Sequence, residues 1–157
     1  MAKKLLINRG KILRLNNVLI RKIQTDKFET IDKEVEIMEN YIKLKGAMPI
    51  GPLIQYTSMI IDETGEVNME IFLMRQANSF INHIEDPYKM ESIIRVKNCM
   101  YVRFVGEEYN IKFAYDKINL TAYEEDIKLK GNSYTIFVDK QDENIVADIF
   151  MECIDDD

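Results

Sequence analysis

The chain has 157 residues, 46% of them apolar, and a formal charge of −6. That length and apolar share suit a globular chain with a sizeable core and exclude a disordered one. No apolar run approaches the ~20 residues of a membrane helix, and Leu5-Leu6-Ile7 is too short for the core of a secretory signal, so a membrane partner is excluded and a cytoplasmic protein is expected. Cys99 and Cys153 lack metal-ligand spacing and are expected as reduced, buried thiols.

Charge is distributed unevenly. Residues 1–27 hold eight cations, among them Lys3, Lys4, Arg9, Lys11 and Arg14, against the single acid Asp26. A basic arm can contact nucleic acid. Here, however, the cations alternate with apolar residues, as on a solvated strand face, and the acidic remainder repels phosphate, so nucleic acid is not the expected partner.

In chain order, Lys11 to Leu15 and Val18 to Thr25 read as two strands around Asn16-Asn17, because branched residues are dense and Asn tolerates a left-handed turn. Ile31, Val35, Met38 and Ile42 recur on one helical face, and the helix, beginning after Asp26 or at Thr30, should end at Gly46. Leu53 to Ile61 and Glu66 to Arg75 form a hairpin around Asp62-Glu63-Thr64-Gly65. Residues 76–91 read as a linker, with Phe80, Ile81 and Ile84 suggesting a short turn of helix. Ile93 to Val96 and Cys99 to Val105 are the next strands. A helix is expected over 108–130, with Ile111, Ala114, Ile118 and Ala122 inward. Tyr134 to Val138 and Asn144 to Cys153 close the chain as a hairpin around 139–142. The acidic end, Asp155 to Asp157, is expected to be frayed.

The order repeats. Ile42-Lys43-Leu44-Lys45-Gly46 recurs letter for letter as Ile127 to Gly131, 85 residues later. Ile12 to Asn17 aligns with Ile93 to Asn98 at an offset of 81, and Val67 to Met74 with Ile145 to Glu152 at 78. The expectation is an α+β chain: one domain of two β-β-α-β-β repeats, about 11–75 and 92–154. Their strands would join into one curved antiparallel sheet with two helices on one face and a groove on the other.

Strand alternation sorts the closing hairpins into faces. Val67, Met69, Ile71 and Leu73 form one apolar set, and Ala147, Ile149, Met151 and Cys153 its counterpart. The opposite sets, Asn68, Glu70, Phe72, Met74 and Val146, Asp148, Phe150, Glu152, mix acids with aromatics. His83, the only histidine, lies near Glu85 and Asp86; with no second His and no Cys beside it, it reads as a loop residue. No metal site, cofactor motif or catalytic set emerges.

Val105-Gly106-Glu107-Glu108-Tyr109 with its following helix, the segment Tyr134 to Glu152, and Gly51-Pro52-Leu53-Ile54-Gln55-Tyr56 together resemble the GyrI-like effector-binding family over nearly the whole chain. Members are ligand-binding domains of bacterial transcription regulators and free-standing proteins. The chain departs from the family in having Met151-Glu152-Cys153 where Ile-Pro-Val is common, in lacking Trp, and in having only about ten residues before its first strand, too few for a DNA-binding region. The resemblance implies a groove for amphipathic, often cationic, ligands. Its acids would be Glu70 and Asp148, and its rings Phe72, Phe150, Tyr56, Tyr101 and Tyr134, each face-on ring adding ~0.5–2 kcal/mol to a cation. Two alternatives stand beside this one: a protein-interaction or inhibitor role, and a hydrolase using one of these acids with Tyr101 or Tyr134.

Overall fold

The computed structural model describes residues 4–24 and 30–154. The elements are β1 (Asn8–Ile23), α1 (Ile31–Leu44), β2 (Pro49–Ile61), β3 (Val67–Ala77), β4 (Tyr88–Glu107), α2 (Lys112–Glu124), β5 (Asn132–Gln141) and β6 (Asn144–Glu152), with a 3-10 turn over Glu108–Asn110. The chain is α+β and its strand pairings are antiparallel. It divides into two compact units, Arg14–Ile94 and Met1–Leu13 with Arg95–Asp157. The long strands β1 and β4 each contribute to both.

Each half is strand, helix, hairpin rather than the expected β-β-α-β-β. Asn17 and Asn98 lie at φ 49° and 57°, as left-handed residues, but each sits inside one continuous strand. A two-residue hairpin of the common type needs positive φ at both central positions. Only the second residue of Asn16-Asn17 and of Lys97-Asn98 has it, so the strand bends instead of reversing. The Asn16 amide donates to Gln76 Oε1 at 2.9 Å, which satisfies a backbone group at the bend. The expected linker also shrinks: residues 76–77 finish β3, residues 88–91 begin β4, and 78–87 hold no helix.

In the unit Arg14–Ile94, β3 lies between β1 and β2. Met38 and Ile42 of α1 are fully buried against Leu19, Ile71 and Leu73, with Ile31 and Val35 packed at the edge. Burial of such side chains contributes about 1.5–3 kcal/mol each. Arg75 donates to Glu39 at 2.8 Å and ties the helix to β3. Of the apolar set on β3, Ile71 and Leu73 are core, but Val67 and Met69 are 62% and 41% exposed. They lie beyond the last side chains that α1 covers. At the hairpin tip, Asp62 accepts from the amides of Thr64 and Glu66, the Thr64 hydroxyl and the Asn68 side chain.

In the other unit, β6 lies between β4 and β5. Ala114, Ile118 and Ala122 of α2 bury against Met100, Val102, Phe104, Ala147 and Ile149. Here the inward face predicted for the helix and the alternation predicted for β6 both hold.

The identical pentapeptides do not occupy equivalent positions. α1 ends in a Schellman motif: Ala47 N–H donates to Ile42 O at 3.2 Å and Gly46 N–H to Lys43 O at 3.0 Å, with Gly46 at φ 85°. α2 ends likewise, with Ile127 N–H to Ala122 O at 2.8 Å, Asp126 N–H to Tyr123 O at 3.4 Å and Asp126 at φ 57°. Thus Ile42 is in the last turn of α1, whereas Ile127 is already past the end of α2. The helix expected to reach residue 130 stops at Glu124 because Asp126 takes the left-handed position. Gly131, at φ 90°, lies just before β5, whereas Gly51, also left-handed at φ 70°, is the third residue of β2. The acidic terminal tail expected to fray lies outside the described residues.

Candidate functional site

Antiparallel register fixes which side chains share a row. In the unit of β4, β5 and β6, Phe150 faces Tyr101 on one side and Tyr134 on the other, and the next row aligns Arg103, Asp148 and Ile136. The strands therefore bring together four of the expected residues: Asp148, Tyr101, Phe150 and Tyr134. The Tyr101 and Phe150 rings have centroids 4.8 Å apart at 39°. The Tyr101 hydroxyl donates to Asp148 Oδ1 at 2.6 Å.

Arg103 was not anticipated. Its Nε and Nη2 donate to Asp148 Oδ1 and Oδ2 at 2.8 and 2.9 Å, a parallel fork. The signal was available, since Tyr101 and Arg103 stand two apart on one strand and so share a face. Burial alone would push the Asp148 carboxyl up. The hydrogen bonds from Arg103 and Tyr101 and the guanidinium charge together outweigh it, and the carboxyl lies below its usual value. Burial, and then the bond to Asp148, raise the Tyr101 hydroxyl.

In the unit of β1, β2 and β3 the row is Lys22, Phe72 and Tyr56, with Glu70 and Ser58 one row further on. The Tyr56 and Phe72 rings are 5.8 Å apart at 44°. Lys22 Nζ donates to Glu70 Oε2 at 2.6 Å. The Lys22 side chain is 58% exposed and that of Glu70 25%. Lys22 also lines a cleft of about 170 Å³ with Arg21, Thr30, Glu34 and Pro87. Each carboxylate thus stands beside two mutually tilted rings, and each is bound by a cation from its unit's long strand. Lys22 and Arg103 are 81 positions apart, the offset that relates Asn17 to Asn98.

A cleft of about 520 Å³ is bounded by Arg9, Asn98, Met100, Asp126, Lys128 and Cys153, among others, and by none of the seven expected residues. His83 is exposed. Glu85 is held elsewhere, by the Tyr41 hydroxyl and by Lys45 Nζ at 2.5 Å. Among the described residues no group of three or more His, Cys, Asp or Glu is placed to hold a metal ion. No helix among them is long and apolar enough to cross a membrane.

No family model matches the sequence, and no curated protein matches it. Solved structures do share the fold. The C-terminal domain of EcmrR matches with a TM-score of 0.68 at 16% identity, over 98% of each chain. EcmrR in its DNA complex matches with a TM-score of 0.70 at 16% identity, over 96% of this chain but only 57% of that longer one. A hydrolase from Listeria innocua matches with a TM-score of 0.57 at 8% identity, over 96% of this chain and 92% of the other. At these identities the likeness is one of fold, and the fold is that of the EcmrR C-terminal domain.

Proposed function

We propose that the chain is a small-molecule binding module of the GyrI-like effector-binding type, built from two repeats of one pattern. Its ligand is amphipathic, carries an aromatic or apolar body, and places a cation against a carboxylate. The observation that carries this reading is the recurrence, in each unit, of an acid beside paired rings on the face of the hairpin opposite the core: Glu70 with Phe72 and Tyr56, and Asp148 with Phe150, Tyr101 and Tyr134. The fold shared with a domain of a DNA-bound protein supports it.

The built-in cations rank the two acids. A ligand reaching Asp148 must break a two-bonded guanidinium fork and a tyrosine bond, whereas at Glu70 it displaces one ammonium that is more than half exposed. Exposed pairs of the latter kind contribute only about 0–1 kcal/mol. Glu70 is therefore the preferred cation site. The hydrolytic reading is weaker at Asp148, which has both oxygens engaged and a lowered pKa, the opposite of what a general base needs.

Titration calorimetry with amphipathic cations and their neutral isosteres tests the assignment. Binding is expected to favour the cation, to fall at least tenfold in Glu70→Gln and to rise in Lys22→Ala. Equal affinity for cation and isostere, or affinity unchanged in both Glu70→Gln and Asp148→Asn, would sink it.

A further inference from the structure

The β2–β3 hairpin continues past its core. Thr57 faces Ile71, which is buried; two residues further on Met59 faces Met69, and then Ile61 faces Val67. Residues two apart on a strand share a face, so Met59, Met69, Ile61 and Val67 form a two-by-two array extending the core face beyond the residues α1 covers. They are 55%, 41%, 74% and 62% exposed. Scattered exposed apolar residues are ordinary, but a contiguous array with a polar rim marks an interaction surface. Among the described residues the rim here has one sign. Asp62, Glu63 and Glu66 surround the tip, and no Lys or Arg occurs from residue 46 to residue 74. A hairpin does not require this composition, since the tip joining β5 to β6 is Asp139 to Asn144, polar and exposed.

The charge selects the partner. Two such tips placed together would set Asp62, Glu63 and Glu66 against their own copies, which disfavours a symmetric tip-to-tip contact. The complement is an apolar strip flanked by cations. The chain carries one: Leu6 and Ile12 are 65% and 54% exposed and stand in the sequence among Lys4, Arg9, Lys11 and Arg14, all exposed, of which Arg9 is paired with Glu125 at 3.3 Å. We propose that the acidic, apolar tip of the β2–β3 hairpin docks on the basic, exposed segment 4–14 of a second copy of this chain. The two surfaces differ, so the contact is heterologous and builds rings or open chains unless it closes reciprocally.

Sedimentation velocity on the full chain over a wide concentration range, at low and high salt, tests this. The average mass is expected to rise above the monomer with concentration and less so at high salt, because exposed charge pairs are screened. Two charge-reversal variants separate this contact from any other: Glu63→Lys with Glu66→Lys, and Lys11→Glu with Arg14→Glu. All four side chains are exposed, and circular dichroism checks that the variants fold. Each variant alone is expected to be monomeric, and an equimolar mixture is expected to associate again, since the basic tip of one meets the acidic strand of the other. Ile61→Ser, which removes apolar area without changing charge, is expected to weaken association of the otherwise native chain. The proposal is overturned by a monomer at every concentration, by association that survives in both reversed variants, or by reversed variants that fail to associate when mixed. A tip that captures another protein while the chain itself stays monomeric also overturns it.

Discussion

Arg103 grips Asp148 across β4 and β6 through two parallel hydrogen bonds of 2.8 and 2.9 Å, and Tyr101 adds a third from the same strand. Removing the guanidinium leaves a mostly buried carboxylate with one donor. Arg103→Ala is therefore expected to destabilise the fold by about 1–2 kcal/mol, a figure reduced because half of the Arg103 side chain is in water. Arg103→Lys keeps the charge but not the fork and should fall in between. Urea denaturation at neutral pH measures both.

The same pair sets a pH dependence. Asp148 has a folded-state pKa below its unfolded value, so its contribution is fully present above the ordinary carboxyl range of about 4 and disappears as pH falls through the lower folded value. The stability difference between the native chain and Asp148→Asn should hold steady from pH 7 to about 5 and shrink in stronger acid. Parallel denaturation curves across that range decide it, and a difference that shrinks between pH 7 and 5 would contradict the assignment.

The ends of the two helices offer a paired test. Both place a left-handed residue at the same capping position, Gly46 in α1 and Asp126 in α2. Asp126→Gly removes a side chain from a conformation that L residues adopt at a cost, and should stabilise by up to about 1 kcal/mol. Gly46→Ala should destabilise by about 1 kcal/mol despite open space around its Cβ, because φ there is 85°. Thermal unfolding of the two variants should move in opposite directions.

Core and surface of α2 are also separable. Ile118 is fully buried and Leu120 is 52% exposed. Ile118→Ala is expected to cost about 2–5 kcal/mol and Leu120→Ala within about 0.5.

Burial, followed by the charges of Glu152 and Cys153, pushes the Cys99 thiol up to about 11. At pH 8 only on the order of a thousandth of it is thiolate. Alkylation of Cys99 in the folded chain should be very slow and should become fast on addition of denaturant, as mass spectrometry of the labelled peptide would report.

Periodicity revealed what periodicity governs. The inward faces of both helices and the alternation along β6 could be read from Ile118, Ala122, Ala147 and Ile149, because burial repeats at the spacing of the element. The repeated pentapeptide misled because identity of letters does not fix place. What ends α2 is the φ of Asp126, which nothing in Ile127 to Gly131 reports, and the two left-handed glycines that follow the helices, Gly51 and Gly131, share no flanking letters. The site was half legible. Alternation put Asp148 with Phe150 and Glu70 with Phe72, and it also sets Arg103 on the face of Tyr101, but that Arg103 and Lys22 meet the two carboxylates follows only from cross-strand register, which belongs to pairs of strands and not to either sequence alone.

Asp62 carries a consequence of a different kind. The hydroxyl and amide of Thr64, the Asn68 side chain and the Glu66 amide all converge on its carboxylate, which they hold below the usual range. The turn is thereby fastened before any encounter. A tip already in its final shape surrenders little conformational entropy on contact, so its encounters should be limited by diffusion and orientation and not by a folding step.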